Sequence, residues 1–305
     1  MNPFFTDYST YLSGIFPGIK VQKISVDAGR SCPNRDGTIG TGGCIYCDNR
    51  SFSPSYCSAR ESISGQIRKG KEFFRRKYPE MKYLVYFQSY TATHGSDNGR
   101  SLTSILEEAL SAEDVVGLVV GTRPDCVPAP VISMLAEANT SKPVLLEFGA
   151  ETSHDNTLER INRGHRWSDT ADAVYRSSEA GLRCGLHLIV GLPGETLDDA
   201  AETLKRACSL PVDSLKLHQL QIIRGTELWR QWKNGSADIK PLALEDYLDF
   251  CVRAVRLVPR SITIERFVAQ APASMLEAPR WGLKNYQFTD MLISRLKKLY
   301  DKSNC

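Results

Sequence analysis

Six short apolar runs, each followed by a stretch with helical spacing, restrict the folds open to this chain. They are IKVQKISVD (19–27), YLVYFQSY (83–90), VVGLVVGT (115–122), PVLLEFGA (143–150), GLHLIVG (185–191) and SLKLHQLQ (214–221). Runs this short, rich in Val, Ile, Leu and aromatics, read as buried strands. Between them Leu102, Ile105, Leu106 and Leu110 share one helical face, as do Ala171, Val174 and Tyr175. The second of these helices is expected to start at Ser168 and stop at Gly181. Another should run from Leu197 to Leu210, with Thr196 and Asp199 placed as a capping pair. Strands alternating with helices imply a parallel sheet with right-handed crossovers, either doubly wound or curled into a barrel. After RQWKNGSADIKP (230–241) the rhythm changes to a helix (243–258), a strand-like SITIERF (261–267) and a final helix (about 286–300). The expected organisation is therefore an α/β unit over 1–235 with an extension, 236–305, packed on it.

A chain of 305 residues has room for one large core of barrel size. No apolar run approaches the roughly 20 residues that cross a bilayer, and MNPFFTDYSTYL lacks a signal-peptide pattern, so a cytoplasmic location and no membrane partner are expected. In a reducing compartment the nine cysteines point to metal or catalytic thiols rather than disulfides. A net charge of +3 does not announce a nucleic-acid binder. The segment IRKGKEFFRRKYPEMK (67–82) nevertheless concentrates basic residues, either to track phosphates or as the solvated face of a helix whose Ile63, Ile67, Phe74 and Tyr78 turn inward.

Directly after the first strand, Cys32, Cys44 and Cys47 stand as C-x11-C-x2-C, with Gly37, Gly40, Gly42 and Gly43 between or beside them. A structural zinc site would need a fourth ligand, from Cys57 or a distant His. A redox C-x-x-C pair would leave Cys32 without a role. A [4Fe–4S] cluster held by three thiolates leaves one iron free for an outside ligand. In parallel α/β folds chemistry sits beyond the carboxyl ends of the strands, where this loop emerges, which favours a working centre.

Further stretches follow at the other strand ends: YFQSYTAT, GTRPDC, INRGH, HLIVGLPGET, KLHQLQIIRGT and, near the end, APRW. With CPNRDGTIGTGGCIYC they occur in an order that resembles the radical S-adenosylmethionine (SAM) superfamily, and within it the YhcC/YtqA-type branch, related to the catalytic subunit of Elongator. The resemblance implies a partial (βα)6 barrel with a [4Fe–4S] cluster on Cys32, Cys44 and Cys47. SAM would fill the open iron position through its amino and carboxylate groups.

By the same resemblance, Tyr46 lies against the adenine. QSYTAT occupies the place of a Gly-Gly-Glu-like segment that binds the SAM amino group; those residues are absent, leaving backbone carbonyls or Gln88, Ser89 and Thr91 for the task. Arg123 is a candidate to hold a carboxylate or phosphate, against the plainer reading of a loop salt bridge with Asp125; Cys126 reads as a small hydrophobe. Glu147 and Glu151 are candidates for the ribose hydroxyls or methionyl ammonium if the strand stays extended between them; relatives usually carry Gln at the place of Glu151. Arg163, expected on the following helix, is a candidate for the SAM carboxylate, with His165 read as a surface residue at a helix end. Gly191, Pro193 and Gly194 are expected to let backbone approach the adenine, with Glu195 opening the next helix. Lys216, His218 and Leu220 share one face of the sixth strand, so Lys216 and His218 are the substrate-side catalytic candidates, with Gln219 and Gln221 opposite. Glu265, Arg266 and Trp281 are expected to close the pocket, with Glu265 and Arg266 equally readable as a structural pair. The substrate implied is a C5-substituted wobble uridine of tRNA, converted from carboxymethylaminomethyl to aminomethyl, with an external electron donor of flavodoxin or ferredoxin type. A radical SAM enzyme on a non-RNA substrate, a zinc-stabilised RNA-binding module and an iron–sulfur redox sensor remain as alternatives.

Overall fold

The computed structural model describes residues 2–75, 80–95, 100–236 and 238–303. Its elements, in chain order, begin with β1 (Thr6–Asp7), α1 (Tyr8–Ile15), β2 (Val21–Val26), α2 (Ile63–Arg75), β3 (Lys82–Phe87), α3 (Leu102–Ser111) and β4 (Val115–Thr122). There follow α4 (Ala129–Ser141), β5 (Val144–Glu151), α5 (Asp155–Arg160), α6 (Trp167–Glu179), β6 (Arg183–Val190), α7 (Leu197–Cys208) and β7 (Ser214–Gln219). The chain ends with β8 (Ile222–Ile223), α8 (Glu227–Lys233), α9 (Leu244–Leu257), β9 (Thr263–Arg266), β10 (Leu276–Ala278) and α10 (Asn285–Ser303).

Each of the six apolar runs forms a strand, and β2 to β7 pair in parallel, in sequence order, with helices in every crossover. Outward residues such as Ile24, Val85, Leu118, Leu146, Leu186 and Leu215 pack with Ile67, Ile105, Leu135, Val174 and Leu204 of the surrounding helices in the main core. Helix ends follow their sequence signals. Thr196 and Asp199 form a reciprocal capping box on α7, and α6 stops just before Gly181, whose φ is +77°. On α2, Ile63 and Ile67 are buried and Phe74 packs against the core; Tyr78 lies outside the described residues.

The C-terminal segment packs α9 and α10 on the main core and adds one strand to its sheet. β9 pairs in parallel with β7, and β1 from the N-terminus pairs with β9, giving the order β1-β9-β7-β6-β5-β4-β3-β2. A flat sheet would hold β2 and β9, six positions apart in that order, roughly 29 Å from each other at the usual strand spacing. Lys23 of β2 nevertheless sits 2.9 Å from Glu265 of β9, so the sheet is curled into a partial barrel. One end is closed by α1, whose Leu12, with Phe16 just after the helix, packs on Leu84, Tyr86, Val119 and Leu145. Trp281, expected at the pocket, lies instead in an aromatic group outside it. Its ring centroid is 5.3 Å from that of Tyr247 and 6.2 Å from that of Phe288, and its indole N–H donates to the Leu242 carbonyl.

Candidate active site

Above the α1 plug the inward-facing strand positions turn polar. Lys23 Nζ lies 2.7 Å from Glu147 Oε1 and also contacts Glu265; Lys216 Nζ bonds the other Glu147 oxygen, Tyr86 Oη at 3.3 Å and Glu265 Oε1 at 3.2 Å. His187 Nε2 meets the same Glu147 oxygen at 3.0 Å. Burial opposes charge on Glu147, but Lys216 and Lys23 outweigh it and hold the carboxyl well below its ordinary range. Burial likewise pulls Lys216 down to about 8, against the attraction of Glu147 and Glu265, so its ammonium persists at neutral pH. Two expectations change here. Lys216, placed on the substrate side by strand alternation, lies below the cavity among carboxylates and does not line it. Glu147 does reach the cavity edge, but both its oxygens are bonded within this ion network.

The cavity above, about 230 Å³, opens at the carboxyl ends of the strands, and Cys32, Cys44 and Cys47 all line it. The cysteine loop is wrapped by hydrogen bonds. The amides of Arg35 and Asp36 donate to the Cys32 carbonyl, Cys47 N–H to that of Cys44, and Arg35 Nη2 to that of Cys47 at 2.8 Å. Gly43, at φ +73°, leaves room for the Arg35 guanidinium, which a Cβ there would approach to 2.8 Å. Asn162 Nδ2 holds the Gly43 carbonyl at 2.8 Å, and Arg163 Nη1 lies 3.5 Å from Cys44 Sγ, with Asn34 Nδ2 at 3.8 Å. Burial pushes the Cys47 thiol up to about 12, reinforced by neighbouring Cys44; a coordinated metal reverses such a shift by taking the thiolate.

Tyr46, Gln88, Thr91, Arg123, Glu151, Arg163, His218 and Leu220 line the same cavity. Their settings differ in detail. Arg163 is not helical: α5 ends at Arg160, Asn162 takes φ +54°, and Arg163 stands in the turn, where it donates to the Gly149 carbonyl at 2.7 Å. The strand does not stay extended through Glu151. Its φ is +68° and the β5–β6 register shifts between Gly149 and Glu151, which turns this carboxylate to within 3.5 Å of Arg163. Arg123 takes the loop pairing, gripping Asp125 with two bonds of 2.9 and 2.8 Å while still facing the cavity. His165 is buried, not superficial, lying 3.2 Å from the carbonyls of Gly149 and Arg166. Gln219 and Gln221, assigned to the far face, also line the cavity because β7 ends at Gln219 and the chain turns.

Ser89, Gly191, Pro193 and Gly194 do not line the cavity. Ser89 turns towards Ser53, 3.5 Å away. Gly191 packs on Leu242, and Gly194 on the Arg160 guanidinium, which donates to the Pro193 carbonyl; these glycines serve close packing. Glu195 lies before the Thr196 cap rather than at the helix start; Thr152 Oγ1 donates to it at 2.6 Å, and burial raises its pKa. Glu265 and Arg266 part company, the first joining the floor network and the second donating Nε to His218 Nε2 at 2.9 Å. Sequence reasoning passed over Lys23, Asn34, Arg35, Asn162 and His187.

Among the described residues no three His, Cys, Asp or Glu side chains are gathered as a site for a metal ion. Cys57, the nearest fourth ligand in sequence, donates instead to the Ser25 carbonyl at 3.0 Å. What the trio faces is a cavity whose wall carries buried polar groups without partners: Arg163 Nε, Arg123 Nη1 and Thr91 Oγ1. Buried polar groups normally have partners. Three thiols beside orphaned donors fit a cluster with an anionic ligand next to it.

The family model described as "Radical SAM superfamily" matches residues 31–207, and the "Radical_SAM C-terminal domain" model matches 212–298. The chain belongs to the radical SAM superfamily. It is 39% identical to protein YhcC of Escherichia coli K12 over 87% of its own length and 83% of that protein. It is 26% identical to a tRNA uridine(34) acetyltransferase of Methanocaldococcus jannaschii over 66% of this chain, spanning only 37% of that one. The structure of Methanocaldococcus infernus Elp3 superposes with a TM-score of 0.67 at 19% identity, covering 94% of this chain and 64% of that one, which establishes the shared fold. As a radical SAM enzyme the protein works with a [4Fe–4S] cluster and SAM, so the zinc-module and redox-sensor readings give way. No helix among the described residues is long and apolar enough to cross a membrane.

Proposed function

We propose that this radical SAM enzyme acts on a C5-substituted wobble uridine of tRNA, converting carboxymethylaminomethyl to aminomethyl. The observation that carries the reading is one cavity holding the cysteine trio on one wall and a polar inner layer opposite, with the exposed aromatics Phe52 and Tyr90 among its lining. Exposed aromatics beside a reactive cavity suit a base turned out of its stack. The M. jannaschii relative named for uridine 34 supports the substrate class, as do Arg68, Lys69, Lys71 and Arg75 on α2.

Cys32, Cys44 and Cys47 would hold the cluster. Arg163, Glu151, Gln88 and Thr91 would take the amino and carboxylate groups of SAM, and Tyr46 with Ile189 and Leu220 the adenine. Bound there, cluster and SAM would supply a 5'-deoxyadenosyl radical able to remove a hydrogen atom from the carbon beside the substrate amine; loss of one further electron, back to the cluster, and addition of water would release the two-carbon unit as glyoxylate and leave the aminomethyl group. The protein's own work is positioning and exclusion of water. Burial and Arg266 keep His218 well below its ordinary pKa, and burial and Lys216 lower His187, so both rings stay neutral and act as hydrogen-bonding walls. On the outer side of Cys47, a groove reached by Arg35, Arg50 and Arg230 is where an external donor of flavodoxin or ferredoxin type would approach.

Nucleoside profiling of tRNA from a deletion strain tests the substrate. The expected result is accumulation of 5-carboxymethylaminomethyluridine with loss of its aminomethyl-derived products. An unchanged profile overturns the tRNA reading and leaves the enzyme family intact.

A further inference from the structure

The inner polar layer is not electrically balanced. Lys23 and Lys216 share Glu147 and Glu265 between them, which leaves neither carboxylate bonded to Arg266. Among the described residues Arg266 forms no ion pair. Its Nε donates to the neutral His218 ring at 2.9 Å, and its two Nη groups have no protein acceptor. Arg266 lines the cavity. The guanidinium is half-buried and its Nη edge is not sealed from solvent, so a planar anion entering the cavity can reach it directly.

Its placement is fixed. Gln219 and Gln221 donate to the Ala269 carbonyl at 3.1 and 3.2 Å, and Ala269 N–H returns a bond to Gln219 at 2.8 Å, which ties the chain after β9 to the end of β7. His218 orients the guanidinium plane, leaving the Nη edge free, the geometry that receives a planar carboxylate with two parallel bonds. The partnerless Arg163 Nε belongs to a different wall: Arg163 lies beside Cys44, against β5, and β6 and β7 intervene between β5 and β9.

We propose that Arg266 is the receptor for a carboxylate carried by the substrate, distinct from the place where the SAM carboxylate binds. It rests on the wobble-uridine reading for the identity of that carboxylate, the terminal group of the carboxymethylaminomethyl substituent. The subsite itself rests on the charge and geometry above.

The test uses anaerobically reconstituted holoenzyme and two anticodon stem-loop RNAs, one with 5-carboxymethylaminomethyluridine at the wobble position and one with 5-aminomethyluridine. Wild type should bind the first about 10- to 100-fold more tightly, as charge-assisted bonds imply. Arg266→Gln should abolish that preference, Arg266→Lys should keep part of it, and SAM affinity by equilibrium dialysis should not move. Retained preference in Arg266→Gln, or no preference in wild type, overturns the proposal. A parallel loss of SAM binding overturns it too, by assigning Arg266 to the cofactor. If neither RNA binds wild type, the tRNA reading is what fails, and N-methylglycine decides the subsite: it should shift the His218 ring 15N resonance saturably in wild type and not in Arg266→Gln. Absence of a saturable shift in wild type overturns the subsite whatever the substrate is.

Discussion

Cys44 is the most enclosed of the three cavity thiols, with two nitrogen donors directed at its sulfur, whereas Cys32 and Cys47 are half-buried. Two thiolates hold a cubane poorly, so Cys32→Ala, Cys44→Ala and Cys47→Ala should each lose the cluster's visible absorbance and SAM-dependent 5'-deoxyadenosine. Cys251→Ala, in the core, should keep both and lose on the order of 1–3 kcal/mol of stability in urea unfolding. A colourless Cys251→Ala with the trio intact would show the wrong ligands have been assigned. His165 carries a pH prediction. Burial, then Arg163 and Arg123, lower its pKa to about 3 from 6.5. The folded state therefore disfavours the imidazolium, and the histidine's contribution is complete above about pH 6.5 and falls as the pH drops towards 3. Between pH 6.5 and 5 that is about 2 kcal/mol. The difference in unfolding free energy between wild type and His165→Gln, followed across that range, should show it; a constant difference would mean the ring titrates normally. At this scale the sequence made the cysteines, Arg123 and Arg163 legible because each lies in a polar motif at a strand end. Lys23 was invisible: it occupies mid-strand in β2, and its partners are distant in the chain. His165 was misjudged because a histidine after a helix has no local mark of burial.

The elements were easier to read than their limits. The strands β2 to β7 and the principal helices followed from apolar periodicity, and the α7 capping box from two residues in the right places. Asp199→Ala should lower stability by about 1 kcal/mol in urea unfolding and leave SAM cleavage unchanged; a change in cleavage would link α7 to the site. The short β1, β8 and β10 had no periodicity to show. SITIERF looked like a strand, but its place beside β7 is a long-range pairing that no local pattern encodes. The end of β5 was similarly hidden. The register shift between Gly149 and Glu151 and the positive φ of Glu151 occur where Arg163 bonds the Gly149 carbonyl. A Cβ on Gly149 would stand 2.7 Å from Arg163 Nη2 and 2.8 Å from Glu151 Oε1, both movable side-chain ends. Gly149→Ala should therefore cost little stability, roughly 1 kcal/mol or less, yet weaken SAM binding at least tenfold in equilibrium dialysis. Normal SAM affinity in a folded Gly149→Ala would remove Arg163 from the proposed cofactor contacts.

Closure of the whole molecule depends on charge as well as on hydrogen-bonded strands. β2 and β9 do not pair, and the described contact between their inward faces runs through Lys23, which holds Glu147 of β5 and Glu265 of β9 together and lies 4.4 Å from the Tyr8 ring centroid of α1. One ammonium thus joins the first barrel strand, the middle of the sheet, the last strand and the plug. Burial would lower its pKa, but Glu147 and Glu265 raise it well above the ordinary lysine value, the mark of a charge more stable here than in water. Removing one partner of a buried ion pair leaves the other uncompensated, typically at about 3–5 kcal/mol. Lys23→Met should lose that much in urea unfolding, because Lys216 alone would then face two carboxylates. Adding Glu265→Gln should restore part of the loss, since the double variant again pairs one cation with one anion; the coupling from the two single variants and the double one isolates the interaction. If Lys23→Met instead unfolds within 1 kcal/mol of wild type and the two changes simply add, the barrel is held by α1 packing and the β1–β9–β7 ladder. The lysine would then matter for the charge facing the cavity rather than for the fold.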